Sequence, residues 1–98
     1  MTALTNMIIL DDNDNVGVAL RDIAANEQAR SAHGPQLPAV ERINQGHKIA
    51  LRRISEGEAI VRFGVNVGIA TASIERGHLV HVHNVRSQYL NNDEDHYE

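Results

Sequence analysis

Apolar positions in this chain come in short runs, and most alternate with polar ones, the period of a strand with one buried face. The clearest runs lie between residues 46 and 84: 47–51, 59–63, 65–69 after a turn at Gly64, and 79–83. Nearer the N-terminus, residues 5–10 carry Met7, Ile8, Ile9 and Leu10 and end at Asp11-Asp12-Asn13-Asp14-Asn15. Asp and Asn side chains bond to the backbone just downstream and tolerate turn conformations, so a strand followed by a turn is predicted. The same acidic stretch lacks a glutamate at the distance that an EF-hand calcium loop requires. Residues 16–23 are ambiguous alone. Val16, Val18 and Leu20 alternate as in a strand, whereas Leu20, Ile23, Ala24 and Glu27 would suit a helix.

An internal repeat narrows that choice. Residues 18–27 (VALRDIAANE) align with 49–58 (IALRRISEGE) and, more faintly, with 69–78 (IATASIERGH). Each copy runs apolar residue, Ala, three residues, Ile, two residues, then Asn26, Gly57 or Gly77. Gly and Asn accept a positive φ at little cost. The predicted unit is therefore a strand, a short helical or 3₁₀ turn, and a left-handed residue that starts the next strand. Three copies in so short a chain favour a pseudo-repetitive all-β fold. Residues 28–40, with Gly34-Pro35 and Pro38, read as a loop. Residues 40–43 read as a strand entering the Gln45-Gly46 turn. Beyond Asn84 the periodicity is lost and charge accumulates, which predicts a tail ordered only against a partner.

Composition sets limits on all this. Ninety-eight residues suffice for one domain. With 42% hydrophobic residues but one Phe, two Tyr and no Trp, the core must be aliphatic. A formal charge of −4 with only nine Lys and Arg argues against a nucleic-acid partner, because phosphate binding needs concentrated cations. The lack of cysteine excludes disulfides, thiolate metal sites and a cysteine nucleophile. No stretch reads as a signal peptide or a membrane span, so the expectation is a cytoplasmic protein with no membrane partner.

The candidate chemistry is histidine-rich. If 79–83 is one strand, Leu79, His81 and His83 face one way and Val80 and Val82 the other. Imidazoles two residues apart on a strand face lie about 7 Å apart, close enough to share a metal or an anionic substrate. The same spacing also describes an exposed face with two solvated histidines. His78 stands just before that strand and can join the pair. Gly46-His47-Lys48 is a second candidate: glycine lets the backbone approach a ligand, His transfers protons and Lys supplies a cation for a carboxylate. It equally describes a turn with two exposed polar side chains. Arg52, Arg53 and Arg62 read as solvated or paired with Glu56 and Glu58, and His33 and His96 as loop and tail residues. No nucleophile elbow, phosphate loop or dinucleotide fingerprint is present.

In this order and spacing, several motifs together resemble one family: Asp14-Asn15-Val16, Gly46-His47-Lys48-Ile49-Ala50-Leu51, Gly57-Glu58, Phe63-Gly64, Val67-Gly68 and Gly77-His78-Leu79-Val80-His81-Val82-His83-Asn84. It is the N-terminal domain of the altronate/galactarate dehydratases, matched over residues 7–86. The histidine pair resembles the altronate dehydratase and sulfolactate sulfo-lyase branches more than the galactarate branch. The resemblance implies an all-β, SAF-type β-clip fold with short helical turns over residues 1–86, followed by an acidic tail at 87–98. It implies a small subunit, or an excised domain, that is inactive alone. The partner would be a larger catalytic chain that holds a divalent metal, iron or manganese, and eliminates water from a sugar-acid substrate. Carried onto this sequence, the implied catalytic residues are His81, His83 and Lys48, and the substrate-binding ones are Asp14, Asn15, Gly46, His47 and Asn84. Two alternatives stay open: the small subunit of a sulfolactate sulfo-lyase, and a SAF-type carbohydrate-binding or assembly module without catalysis. A chain that needs a partner should leave apolar surface for the larger chain, or for a second copy in a homo-oligomer.

Overall fold

The structure is a computed structural model and describes residues 5–87. Of the expected tail at 87–98, residues 88–98 lie outside the described residues. Within them the chain forms nine short strands and no helix: β1 Met7–Ile8, β2 Val16–Ala19, β3 Gln28–Arg30, β4 Gln36–Pro38, β5 Lys48–Ala50, β6 Ala59–Arg62, β7 Val65–Ala70, β8 Leu79–Val80 and β9 Val85–Arg86. The fold is all-β, as the repeat predicts, and every pairing is antiparallel.

A central sheet of order β1-β2-β5-β8 is flanked by the β3-β4 hairpin and by a β6-β7-β9 sheet. Its register aligns Ile8, Val18, Lys48 and Val80 across the strands, and Gly17, Ile49 and Leu79 beside them. Side chains alternate between sheet faces, so the two rows serve two cores. Met7, Ala19 and Ile49 pack with Ile23, Ala29, Leu37, Ala39 and Ile43. Val16, Ala50 and Val80 pack with Ile54, Ile60, Ala70 and Ile74. Both cores are aliphatic, and the sheet is the partition between them.

The repeat builds the rest. Four arcs, 19–27, 39–47, 50–58 and 70–78, share one path and pair two by two. Ile23 exchanges both backbone bonds with Ile43 (2.8 and 2.9 Å), and Ile54 does the same with Ile74 (both 2.8 Å). Each arc then closes a tight turn through an N–H donated three residues back, as from Glu27 to the Ala24 carbonyl at 3.0 Å and from Glu58 to that of Ser55 at 2.9 Å. The expected helical turn is thus a one-residue bridge followed by a β-turn. The left-handed residues fall where predicted, with φ of 73° at Asn26, 86° at Gly57 and 90° at Gly77. Gly46, with φ 84°, is their counterpart in the 39–47 arc. That arc keeps the Ala, Ile and Gly of the repeat at Ala39, Ile43 and Gly46, but it opens on Pro38 where the other copies have Val18, Ile49 and Ile69.

Other boundaries differ from expectation. Residues 28–38 are a hairpin rather than a loop, with Ala29 opposite Leu37, both fully buried. Pro38 is tolerated there because hydrogen-bonded pairs alternate along an antiparallel ladder. The neighbouring Ala39 donates to the Glu27 carbonyl at 2.9 Å, so position 38 falls where no ladder N–H is needed. Residues 40–43 form a bend and the single Ile43 bridge instead of a strand. Val85 and Arg86, expected to open the tail, pair as β9 with Ala70 and Ile69. They sit against the bare backbone of Gly68, where a Cβ would lie 2.6 Å from the Val85 side chain. The β6-β7 hairpin turns at Phe63-Gly64, both at positive φ (58° and 71°), the geometry of a two-residue turn matched to strand twist.

Candidate functional site

The ninth position of each arc separates fold from function. In arcs 19–27 and 50–58 it is Glu27 or Glu58, and the carboxylate reaches back to close its own arc. Glu27 accepts the Ala24 N–H at 2.9 Å and pairs with Arg21 at 3.2 Å; Glu58 accepts the Ser55 N–H at 2.9 Å and pairs with Arg52 at 2.6 Å. In arcs 39–47 and 70–78 the same position holds His47 and His78. Both histidines flank β8 and the segment that follows it.

That segment is not the strand expected over 79–83. Strand β8 stops at Val80, and residues 81–84 form a turn in which Asn84 N–H donates to the His81 carbonyl at 3.0 Å. His81 and His83 therefore do not share a strand face. The β5-β8 register, carried one residue past Lys48 and Val80, sets His81 opposite His47. Their rings stack, with centroids 4.4 Å apart and planes 19° apart. Exposed His83 instead lines a cleft of about 140 Å³ with Glu41, Ser73, Ile74, Glu75, His78 and Asn84.

In that cleft the Glu41 carboxylate takes the Leu79 N–H at 3.0 Å and lies 3.1 Å from His78 Nδ1. Desolvation pushes the Glu41 carboxyl up, but the Leu79 amide and the nearby His78 and His83 imidazoles outweigh it and hold it below its ordinary value. Glu41 is the site residue that the sequence reading missed. It lies in a stretch without periodicity, and only the fourth arc, once aligned, would have marked it as a glutamate standing where Arg21 and Arg52 stand in two others.

The remaining candidates divide by face and by role. Lys48 follows His47 on β5 and so projects from the opposite face of the sheet, in the row of Val18 and Val80. It is half-buried there, and its pKa is lowered, first by desolvation and then by the charge of Arg62. Gly46 supplies the positive φ of its arc, and the space beside it is open. Asp14 ties the 10–14 turn to the β6-β7 hairpin, accepting the Leu10, Asp11 and Gly64 amides at 3.2, 3.1 and 2.8 Å.

Asn15 is buried and clamps β6: its Nδ2 donates to Ala59 O at 2.8 Å and its Oδ1 accepts Val61 N–H at 2.8 Å. Asn84 makes the same clamp after β8, donating to Leu79 O and accepting His81 N–H, both at 2.9 Å. Asn6 repeats it on β3, bonding Gln28 O at 2.9 Å and Arg30 N–H at 2.6 Å. Three asparagines thus hold the strands that leave three arcs, and the Asn84 clamp fixes the backbone of His81.

Among the described residues no three His, Asp or Glu side chains converge as metal ligands. The His47–His81 stack cannot supply two donors to one ion, because imidazole lone pairs lie in the ring planes and nearly parallel stacked rings do not aim them at a common point. This chain's described residues do not make up a ligand set for the divalent metal that the resemblance implies.

Comparison with known proteins gives the family. The altronate/galactarate dehydratase SAF domain profile matches residues 5–88, which takes in every described residue. The chain belongs to the altronate/galactarate dehydratase SAF domain family. It is 38% identical over 84 residues to altronate dehydratase of Bacillus subtilis (strain 168), covering 86% of this chain and 17% of that protein. It is 34% identical over 85 residues to altronate dehydratase of Escherichia coli (strain K12), covering 87% of this chain and 17% of that one. It is also 38% identical over 53 residues to (2R)-sulfolactate sulfo-lyase subunit alpha of Chromohalobacter salexigens, covering 54% of this chain and 56% of that subunit. The chain thus spans about a sixth of the two dehydratases it matches, 17% in each case.

Proposed function

We propose that this chain is the SAF domain or small subunit of a sugar-acid hydro-lyase of the altronate dehydratase type. In this reading it completes an active site whose larger part, with its divalent metal (iron or manganese), belongs to a larger catalytic region. The observation that carries the reading is the family match over residues 5–88, joined to the small share of the matched dehydratases that it represents.

Elimination of water beside a carboxylate needs a base for the α-proton, an acid for the departing hydroxyl and a cation facing the carboxylate. The histidine end of the central sheet offers suitable groups. His47 and His81 are stacked and half-exposed, and His83 is exposed on the same turn. We assign His81 and His83 to proton transfer and His47 to substrate contact beside His81. Asn84 and Asn15 act by holding the backbone around them, and Asp14 and Gly46 by shaping the adjoining turns. Lys48 projects from the opposite face of the sheet to His47 and His81, so we assign the cation that faces this substrate's carboxylate to the larger region.

Reconstitution tests the assignment. The chain combined with its larger lyase partner should convert altronate to a 2-keto-3-deoxy acid, and neither component should do so alone. His81→Ala should lower kcat by about 100-fold or more while the complex still forms. Loss of assembly with turnover per complex unchanged would instead favour a docking module. A second reading has its own support, since one relative is itself a lyase subunit. Sulfite release from sulfolactate, with no product from altronate, would select the sulfo-lyase and reject the hydro-lyase.

A further inference from the structure

The repeat isolates a second pair of groups that the reading above leaves unused. Where arcs 19–27 and 50–58 carry Arg at the third position and Glu at the ninth, arc 39–47 carries Glu41 at the third and arc 70–78 carries His78 at the ninth. The arginines and glutamates pair within their own arcs. Glu41 and His78 instead pair between arcs, at 3.1 Å. They do so where the two arcs touch backbone to backbone, with Val40 N–H on Gly77 O at 2.9 Å. A plain stabilising contact is already supplied by that bond and by the Leu79 amide on Glu41. The imidazole adds something else: a titratable ring, fixed by a carboxylate, at the wall of a cleft.

We infer that Glu41 and His78 form a carboxylate–imidazole dyad, with His78 a further proton-transfer group of this domain beside His81 and His83, and Glu41 its positioning residue. An ionised carboxylate only accepts hydrogen bonds, so the shared hydrogen sits on Nδ1 and Nε2 is left as the acceptor of the ring. A proton taken from a substrate carbon or from water then enters at Nε2. It makes an imidazolium whose charge Glu41 balances, and it leaves by the same nitrogen to solvent or to a departing hydroxyl. Ser73, Glu75, His83 and Asn84 line the same cleft, and Glu75 is already paired with Arg53 at 3.0 Å. At about 140 Å³ the cleft is smaller than the roughly 300 Å³ of an ordinary ligand pocket. It suits one end of a polyhydroxy carboxylate, the rest being covered by the larger region. That substrate class rests on the lyase reading; the dyad does not.

Two measurements separate them. Long-range ¹H–¹⁵N spectra of the 98-residue chain should show neutral His78 as the Nδ1–H tautomer. Glu41→Gln should turn it into a mixture and leave His33, exposed in its loop, unchanged. In the reconstituted lyase, His78→Gln should lower kcat by about 100-fold with KM nearly unchanged. Glu41→Gln should give a smaller loss and Glu41→Asp should partly restore it. An Nε2–H tautomer at His78 in the wild-type chain overturns the dyad whatever the enzyme does. Full kcat for His78→Gln in an active complex overturns its role in proton transfer. A wild-type complex inactive on every sugar acid counts against the lyase reading instead, and the tautomer still decides the dyad.

Discussion

Asn15 is one of the residues that carry the family resemblance, yet its work is invisible in the sequence, because its partners Ala59 and Val61 lie 44 and 46 residues away. Asn15→Ala would leave one part-buried N–H and one part-buried carbonyl without their side-chain partners. We expect a loss of about 2–4 kcal/mol, read as a lower denaturation midpoint. Lys48 should behave in the opposite sense. Its lowered pKa means that the fold disfavours the charged form, by burial and then by Arg62. That penalty is present below the folded pKa and disappears as pH rises toward the ordinary value of 10.5. Lys48→Met, which keeps the length and drops the charge, should therefore leave thermal stability equal or slightly higher near pH 7. A clearly lower melting temperature would contradict this account of Lys48. The histidines of the site were legible as residue types, but their grouping was not. Alternation predicted His81 with His83, whereas the turn that Asn84 closes sends one to His47 and the other to the His78 cleft.

The arcs are the elements that a sequence reader can find: all four carry the regular return of Ala, Ile and a left-handed residue, and the 39–47 arc is harder to see because Pro38 precedes it where the others have Val18, Ile49 or Ile69. Their glycines are not equivalent. At Gly57 an added Cβ meets nothing within 4 Å, so Gly57→Ala should cost about 1–2 kcal/mol from its positive φ alone. At Gly77 the Cβ would lie 2.6 Å from the Pro38 carbonyl oxygen, so Gly77→Ala should cost clearly more and loosen the contact between arcs 39–47 and 70–78. Equal losses at the two sites, measured by chemical denaturation, would refute that distinction. The arcs also set the response to acid. The pKa of Glu27 is lowered chiefly by the Ala24 amide, and that of Glu58 by Arg52 and the Ser55 amide; Glu41 is lowered as well, against its own desolvation. Carboxylates with depressed folded values stabilise the fold above their ordinary value of 4.5. That contribution is lost as pH falls through the folded values. The melting temperature should thus drop below about pH 4.5, and less steeply in a Glu27→Gln, Glu58→Gln double variant. The 28–38 hairpin stayed hidden because its strands are three residues each, too short for alternation to show, and because Pro38 sits where the ladder needs no N–H.

At the scale of the molecule, the central sheet divides two aliphatic cores, and the histidines gather on one rim. Among the described residues several large apolar side chains remain at the surface: Phe63 is 65% exposed at its hairpin tip, and Val40, Val65 and Val82 are about half exposed. The all-β class and the family were legible because they rest on local motifs and a repeat. The division of the histidines between a stack and a cleft was not, because it depends on where β8 ends. The central claim is that this histidine rim completes the active site of a sugar-acid hydro-lyase. The most direct test is single-turnover altronate dehydration by the chain reconstituted with its larger partner, wild type against His81→Ala, at equal and verified complex concentration. The account predicts a 2-keto-3-deoxy product formed by the wild-type complex and a rate lower by about 100-fold or more in the variant. Equal rates in the two complexes would contradict it and leave the domain a role in assembly alone.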